Sequence, residues 1–242
     1  MDYAILQSFT YIIGILYIVI RMGKECNLRK RLLFAVIIAI SISVFARLCW
    51  ALENIKYFMT GVYDITNIIN PFKGGLKIIG VLIGAVIGVL ILRKLFKEHA
   101  QAITNASIEA MFLTAGYTKL VCTIKGECCL GKPTNLPWAI SYPDHNIYNL
   151  HPTACYELIT WWGCFLLLHL LKNKIESDSS RMCFVVALYV AIRLCVLEGL
   201  YAGAQFFGNL KFRIIYLSII IICLVVIFIK DFKNRKNKVE NK

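Results

Sequence analysis

Seven long apolar runs alternate with shorter polar stretches along the chain. Each run approaches the roughly 20 residues that an α-helix needs to cross the hydrocarbon core of a bilayer. The runs predict seven transmembrane helices over about residues 4–20, 32–52, 76–96, 107–124, 154–171, 181–202 and 214–230. The fourth run is the least apolar, because it carries Glu109 and Lys119 together with two threonines.

The composition supports the same interpretation. The chain has 242 residues, of which 59% are hydrophobic, and its mean hydropathy is +0.67. A soluble domain of this length would not carry so many uninterrupted apolar runs. We therefore predict an all-α polytopic membrane protein, with its helices in one bundle and a single transmembrane helical domain over residues 1–242.

The basic residues are distributed unequally between the two sides of the predicted bundle. Seventeen of the 27 lysines and arginines fall in the loops after the first, third and fifth runs or in the tail, and seven fall on the other side. The positive-inside rule then predicts an external N-terminus, a cytoplasmic C-terminus and an outward-facing polar loop at about 125–153. Because the charge follows the loops and forms no basic stripe, the net charge of +13 does not indicate nucleic-acid binding.

Several ionisable residues fall within or at the edge of the predicted spans. Such groups are costly in a bilayer, so they normally face a bundle interior or a wet cavity and form pairs. The cations and the acids are Arg47, Lys119, Arg193, Glu109, Glu157 and Glu198. Two interpretations stay open at this point: ion pairs that hold helices together, or a cationic pocket for a phosphate headgroup.

The stretch from Gly126 to Glu157 is the longest polar, turn-rich segment in the chain. It holds four of the five prolines, two of the four histidines and the adjacent pair Cys128 and Cys129. Adjacent cysteines bond each other poorly, and no second CxxC pair completes a zinc site. We therefore predict no metal site and expect both thiols to be dispensable. A segment with this chemistry between apolar runs is where function is expected.

Several motifs resemble those of the bacterial prolipoprotein diacylglyceryl transferase family. The stretch Gly131-Lys-Pro-Thr-Asn-Leu-Pro-Trp138 is similar to the family's G-[RK]-P-T-x-x-P-W, and His151-Pro-Thr-Ala-Cys-Tyr-Glu157 to its H-P-[TS]-Q-L-Y-E. The family signature R-[IL]-G-N-F-I-N-G-E resembles residues 119–127, where Lys119 replaces the arginine and the terminal Gly126-Glu127 is kept. Ala46-Arg47-Leu48 is similar to the family's G-A-R-L, and residues 74–84 resemble its glycine-rich G-G-[ML]-S-x-H-G-G-L-I-G.

The segment Arg193-Leu-Cys-Val-Leu-Glu198 resembles the family's R-F-x-x-E with one extra residue. In a regular α-helix this change rotates Glu198 by about 100° from the family position. Ile79 stands where many family members have a histidine. Both departures predict that individual functional positions are altered.

The resemblance implies transfer of a diacylglyceryl group from phosphatidylglycerol to the lipobox cysteine thiol of preprolipoproteins, at the outer leaflet of the bacterial cytoplasmic membrane. It implies no cofactor, and its partners are phosphatidylglycerol, preprolipoprotein signal peptides and membrane lipids. The implied catalytic residues are Lys119, Glu127, Arg193 and Glu198. The implied substrate-binding residues are Arg47, Gly126, His151, Tyr156 and Glu157.

Two alternatives remain beside this enzyme. The first is a catalytically impaired paralogue that binds a phospholipid or a lipoprotein, which the changes at Lys119, Cys122, Ile79 and Ala154 favour. The second is a transporter, for which the sequence shows no internal repeat. For His151, a role in fixing the loop before the fifth span is favoured over catalysis, with Thr153 as a candidate N-cap.

Overall fold

The computed structural model describes residues 3–61, 78–126, 129–142, 147–173, 175, 177–202, 214, 217–226 and 229. Its architecture is mostly helical. The α-helices are α1 (Tyr3–Arg21), α2 (Leu28–Glu53), α3 (Ile55–Met59), α4 (Ile78–Leu95), α5 (Ala100–Lys125), α6 (Thr153–Leu170), α7 (Asp178–Ile192) and α8 (Leu217–Val226). Short 3₁₀ turns follow α4 at Lys97–His99 and α6 at Leu171–Asn173.

Helices α1, α2, α4, α5 and α6 overlap the first five predicted runs, although α2 and α5 begin earlier than predicted, at Leu28 and Ala100. The sixth run covers most of α7 and the π and 3₁₀ turns after it, and α8 lies within the seventh run. Two stretches of the described chain are long and apolar enough to cross a membrane, namely Leu28–Glu53 and the helical stretch Asp178–Leu200. Phe9–Arg21 and Leu217–Val226 are shorter apolar helices. The helical architecture is therefore confirmed, whereas the number of crossings stays a prediction.

The polar loop contains an element that the all-α prediction omitted. Strands β1 (Ile140–Tyr142) and β2 (Ile147–Leu150) form a two-stranded antiparallel sheet, in which Ile140 faces Leu150. A bridge between Pro133 and Leu150 extends this pairing toward the start of the loop. The loop that carries the family motifs is therefore held by backbone hydrogen bonds.

Local sequence explains where two of the helices begin. Asn27 precedes α2, and its side chain accepts a hydrogen bond from the Lys30 N–H at 3.1 Å. Ser177 precedes α7, and its hydroxyl accepts from the Ser180 N–H. In each case a short polar side chain satisfies an N–H that the first helical turn leaves without a partner.

The described residues pack as two compact units, one formed by 11–110 and the other by 1–10 with 111–242. In the first unit, three glycines of α4 lie against α2. A Cβ at Gly80 or Gly84 would overlap the backbone of Phe45 or Ser41, and a Cβ at Gly88 would lie 3.2 Å from Ser41 Cβ. The spacing of four residues predicts such a close-packed face, and this prediction is confirmed.

The first unit also contains a buried acid. Glu109, which is 3% exposed, accepts hydrogen bonds from Arg21 Nε at 2.7 Å and from the Tyr17 hydroxyl at 2.8 Å. Because Arg21 and Tyr17 lie on α1 and Glu109 lies on α5, these hydrogen bonds hold α1 against α5 within this unit. The expectation that an acid in a span is paired therefore holds for Glu109.

In the second unit, aromatic side chains join α6 and α7. The Trp161 and Tyr189 rings lie 3.8 Å apart, and the Phe112 ring lies 5.4 Å from Trp161. This packing fixes α6 against α7, the two helices whose ends carry the candidate site.

Candidate functional site

The buried carboxylate of Glu157 binds two cations. Glu157 lies in the first turns of α6 and is 2% exposed. Its Oε1 accepts from Arg193 Nε at 2.8 Å, and its Oε2 pairs with Lys119 Nζ. Three residues that lie far apart in the sequence therefore form one connected group, in which one carboxylate faces a cation from α5 and another from the end of α7.

Glu198 pairs with Arg193 in spite of the extra residue between them. Residues Arg193–Leu197 form a π turn, and the Glu198 N–H bonds to the Arg193 carbonyl. A π turn closes its hydrogen bond between residues five apart, so it returns Glu198 to the face of Arg193. The Arg193 Nη1 donates to Glu198 Oε2 at 2.9 Å. The prediction that Glu198 is rotated away is therefore wrong, because the helix widens at the insertion.

Lys119 contacts a thiol as well as a carboxylate. Its Nζ lies 3.1 Å from Cys129 Sγ. The backbone at Cys129 has a φ of 61°, which is uncommon for a residue with a Cβ. The Thr153 hydroxyl donates to the Cys129 carbonyl and holds this conformation at the N-terminus of α6. The expectation that this thiol is dispensable for activity stays a prediction.

Tyr201 packs against both cations. The centre of its ring lies 4.5 Å from Arg193 Cζ and 6.0 Å from Lys119 Nζ. A guanidinium over an aromatic face is attracted by the negative face of the ring, and the attraction strengthens when water is excluded. The tyrosine is 9% exposed, so it closes one side of the group formed by Lys119, Glu157, Arg193 and Glu198.

This four-residue group, the Lys119–Glu198 cluster, can bind an anion. An ammonium has three N–H donors. Within the described residues, Glu157 and Cys129 accept two of the three N–H donors of the Lys119 ammonium. The third N–H can bind a ligand. The guanidinium of Arg193 is held in a fixed orientation by two carboxylates, as a fork that binds phosphate requires. Ion pairing between the helices is thus observed, while the binding of a phosphate by these cations stays a prediction.

The described residues bring together no group of three or more His, Cys, Asp or Glu side chains with the geometry of a metal site. The cluster itself consists of cations paired with carboxylates.

Gly126 ends α5 and reverses the chain. Its φ is +66°, its N–H donates to the Cys122 carbonyl, and a Cβ at this position would overlap the Tyr142 ring. A glycine is therefore required for the turn and for the close approach of β1. Glu127 lies outside the described residues, so its predicted role stays a prediction.

His151 connects the loop to α6 through its backbone. Its N–H donates to the Lys132 carbonyl at 3.0 Å, and its carbonyl accepts from the Thr153 N–H at 2.8 Å. These bonds agree with a role in fixing the loop. The prediction that Thr153 caps α6 is wrong, because α6 begins at Thr153 itself and the hydroxyl donates to Cys129 instead.

Tyr156 and Arg47 lie outside the cluster. The Tyr156 hydroxyl accepts from Trp138 Nε1 at 2.8 Å and thereby fastens the half-exposed indole of the loop to α6. Arg47 belongs to the unit formed by residues 11–110, where it is 3% exposed and its Cζ lies 4.4 Å from the Trp50 ring. The structure therefore brings together Lys119, Glu157, Arg193 and Glu198 among the predicted site residues.

Sequence reasoning missed Cys129 and Tyr201 as members of the site. Tyr201 follows Arg193 by eight residues, a spacing that in a regular helix would place it about 80° round the axis from the arginine. The intervening π turn and the 3₁₀ turn Glu198–Leu200 bring the ring back to the arginine. No sequence signal separates Cys129 from the adjacent Cys128.

Comparison with known proteins agrees with these motifs. A model of the family described as prolipoprotein diacylglyceryl transferase matches residues 1–230. A phosphatidylglycerol–prolipoprotein diacylglyceryl transferase from Clostridioides difficile is 28% identical over 241 residues, which cover 99% of this chain and 94% of the relative. The protein of that name from Finegoldia magna is 28% identical over 234 residues, or 95% of this chain and 90% of the relative. A third, from Clostridium tetani, is 31% identical over 142 residues, or 54% of this chain and 55% of the relative. The resemblance in the motifs is therefore confirmed, and the chain belongs to the prolipoprotein diacylglyceryl transferase family.

Proposed function

We propose that this protein transfers a diacylglyceryl group from phosphatidylglycerol to the lipobox cysteine thiol of preprolipoproteins. Relatives that carry the name of this activity match nearly the whole chain. The observation that carries the proposal is the Lys119–Glu198 cluster, in which two cations are held by two carboxylates at the ends of three helical segments. The reaction needs such cations, because a phosphate is both bound and expelled.

The reaction is a displacement at carbon. The acceptor thiolate attacks the glyceryl carbon, a C–S bond forms, the C–O bond to phosphate breaks, and glycerol 1-phosphate leaves. Negative charge grows on the leaving phosphate, and positioned donors stabilise it in the transition state. Arg193 is the principal phosphate ligand, since its fork is already oriented, and Lys119 adds a point charge.

The carboxylates of the cluster hold the cations. Glu157 has an oxygen on each cation, and Glu198 accepts from Arg193, so neither is well suited to take a proton from the thiol. Glu127 is our candidate proton acceptor, because it follows Gly126 directly at the end of α5. A thiol reacts as its thiolate, so this proton transfer precedes or accompanies the attack.

Residues around the cluster shape the binding site for the two substrates. Gly126 sets the turn after α5, His151 fixes the loop, and Tyr156 anchors Trp138 near the start of α6. We assign these residues to the binding of phosphatidylglycerol and the signal peptide. Arg47 is a candidate for a further contact with the lipid headgroup.

The proposed arrangement in the membrane has seven transmembrane helices in one domain. The N-terminus lies outside, the C-terminus lies in the cytoplasm, and the loop at about 125–153 faces outward. This orientation is supported by the distribution of lysine and arginine. The protein would then reside in the bacterial cytoplasmic membrane as a multi-pass protein, with the cluster near the outer leaflet.

Complementation of a transferase-depleted bacterium tests this function. The full chain, the Arg193→Ala variant and the Arg29→Ala variant are expressed, and lipidation of a reporter lipoprotein is measured by mass spectrometry. Arg29 is an exposed arginine in the first turn of α2 and serves as a matched control. We expect the parent and Arg29→Ala to restore lipidation and Arg193→Ala to fail. A parent that is inserted in the membrane but lipidates no reporter would indicate the impaired paralogue instead.

A further inference from the structure

The indole N–H of Trp161 is a buried donor that no described group accepts. Its Nε1 lies away from solvent and makes no hydrogen bond within the described ranges of the chain. The neighbouring indole differs, because Trp162 Nε1 donates to the Leu113 carbonyl at 3.2 Å. Nearly all buried polar groups in proteins are hydrogen-bonded, and leaving one without a partner costs free energy. A buried donor in this state therefore indicates an acceptor that arrives with a ligand.

Trp161 lies one helical turn further from the polar loop than the Lys119–Glu198 cluster. It follows Glu157 by four residues on α6, and Tyr189 precedes Arg193 by four residues on α7. The Trp161 and Tyr189 rings lie 3.8 Å apart. This aromatic contact thus repeats the Glu157–Arg193 contact about 6 Å further along both helices. The N–H without a partner belongs to the layer of side chains next to the cluster.

The surroundings of this N–H are aromatic. Trp161 packs against Tyr189 and against Phe112 of α5, whose ring centre lies 5.4 Å away and whose side chain is fully buried. A charged phosphate is costly in apolar surroundings unless a countercharge pairs with it, whereas a neutral carbonyl needs only a hydrogen bond. The indole as a whole is half-buried, so a ligand can reach the ring. The donor therefore suits a neutral oxygen of a lipid.

We propose that the Trp161 N–H donates a hydrogen bond to an ester carbonyl of the diacylglyceryl group that is transferred. The inference rests on the proposed function and names a residue that recognises the ester-linked part of the lipid. In phosphatidylglycerol the esters lie a few bonds from the phosphate, on the side of the acyl chains. When the phosphate binds Arg193 and Lys119, an ester carbonyl reaches the next turn of α6. The lipid is then held on both sides of the glyceryl carbon that the thiolate attacks.

Two lipids isolate this contact. Phosphatidylglycerol with ester-linked chains has the carbonyl oxygens, and its analogue with ether-linked chains of the same length lacks them. The full-length parent, Trp161→Phe and Trp162→Phe proteins are compared in detergent. Phenylalanine keeps an aromatic ring against Tyr189 but has no N–H, and Trp162→Phe is the matched control because that N–H already donates within the chain. Native mass spectrometry measures the binding of each lipid, and lipidation of a lipobox peptide gives kcat/KM for each lipid.

We expect the parent to bind the ester lipid about 3- to 10-fold more tightly than the ether lipid, the range for a neutral hydrogen bond. Trp161→Phe should lose this preference, and Trp162→Phe should keep it. The values of kcat/KM should follow the same pattern. A mere loss of packing would weaken the binding of both lipids by the same factor, so the ratio between the lipids separates the hydrogen bond from a structural effect.

A parent without the preference, a parent that binds neither lipid, or a Trp161→Phe protein that keeps the preference would overturn the inference. An equal loss for both lipids in Trp161→Phe would also overturn it and would make Trp161 a packing residue. If the parent shows the preference in binding but lipidates no peptide, the proposed function fails, whereas the contact between Trp161 and the ester is supported by the binding comparison.

Discussion

Arg193 and Glu198 stand five residues apart, and their side chains meet with Nη1 of the arginine 2.9 Å from Oε2 of the glutamate. The π turn between them makes this contact possible, because it stacks residues at a separation of five instead of four. The wider turn accommodates the residue that is extra relative to the family motif, and the Arg193–Glu198 ion pair is kept. π turns are frequent at functional sites, in agreement with the place of this one beside the proposed phosphate ligand.

The Arg193–Glu198 pair can be tested by neutralising the glutamate. Glu198→Gln removes the charge that holds Nη1 and leaves the side chain nearly the same size. We expect a loss of about 1.5–3 kcal/mol in transition-state stabilisation, the usual value of a hydrogen bond to a charged group. The measurement is kcat/KM for reporter lipidation, with the exposed Glu25→Gln as control. Equal activity in both variants would show that Arg193 needs only Glu157.

Cys129 offers a chemical test of the site. Its sulfur lies 3.1 Å from Lys119 Nζ, so an adduct there would stand against the proposed phosphate site. Cysteines beside a cation and partly exposed are the reactive ones. We expect N-ethylmaleimide to inactivate the parent and phosphatidylglycerol to protect it.

The matched variants for this test are Cys129→Ser and Cys26→Ser. The first should keep activity after the reagent, because it lacks the thiol beside Lys119, and the second should be inactivated like the parent. Equal inactivation of all three proteins would place the sensitive thiol elsewhere. Mass spectrometry of the Cys129 peptide identifies the adduct directly.

The contact between α2 and α4 predicts opposite effects for two glycine-to-alanine changes. In Gly84→Ala the new Cβ overlaps the Ser41 carbonyl, so we expect a destabilisation of about 1–3 kcal/mol, as for other overpacked sites. In Gly163→Ala nothing lies within 4 Å of the new Cβ, and a helix gains up to about 1 kcal/mol. Thermal unfolding of the detergent-solubilised variants measures both changes. A Gly84→Ala protein as stable as the parent would contradict the close packing.

The proposed orientation predicts which face of the membrane each segment reaches. A cysteine placed in the region 135–149, such as Ser141→Cys, should react with an impermeant maleimide in intact cells. A cysteine in the tail, such as Asn241→Cys, should react only after permeabilisation. Both are compared with the background labelling of the parent. The reverse labelling pattern would contradict the outward-facing site, because the orientation of the helices and the position of the site rest on the same distribution of basic residues.

Hydropathy predicted the helices because a long apolar run is typical of a membrane-spanning helix. Helices α1, α4 and α6 lie within a few residues of their predicted ranges. The pairing of buried acids was equally predictable, since an isolated charge in a span is costly. Which cation pairs with each buried acid could not be predicted from the sequence. Glu157 binds cations from two other segments, and no local pattern records a contact over such sequence distances.

The sheet in the polar loop and the π turn escaped prediction for a different reason. The strands Ile140–Tyr142 and Ile147–Leu150 are too short for a clear alternation of polar and apolar residues. The sequence around Arg193 is that of an ordinary apolar helix, and only the backbone hydrogen bond to Glu198 reveals the wider turn. The π turn and the 3₁₀ turn after it bring Tyr201 to the site.

We propose that Arg193 and Lys119 bind the phosphate that leaves in the reaction. Arg193→Lys keeps the charge but removes the fork that reaches both Glu157 and Glu198. Loss of one partner of a desolvated charge contact costs about 2–5 kcal/mol, so we expect a matching loss in kcat/KM. Lys119→Arg keeps a cation beside Glu157 and should retain activity or raise it.

The most direct measurement is the rate at which purified parent, Arg193→Lys and Lys119→Arg proteins lipidate a lipobox peptide with phosphatidylglycerol. We predict that Arg193→Lys is folded and at least about 30-fold slower than the parent, since a loss of about 2 kcal/mol corresponds to that factor. Lys119→Arg should be as active as the parent or more so. An Arg193→Lys protein that lipidates the peptide at the parent's rate would contradict this role and would make Arg193 a structural ion-pair residue.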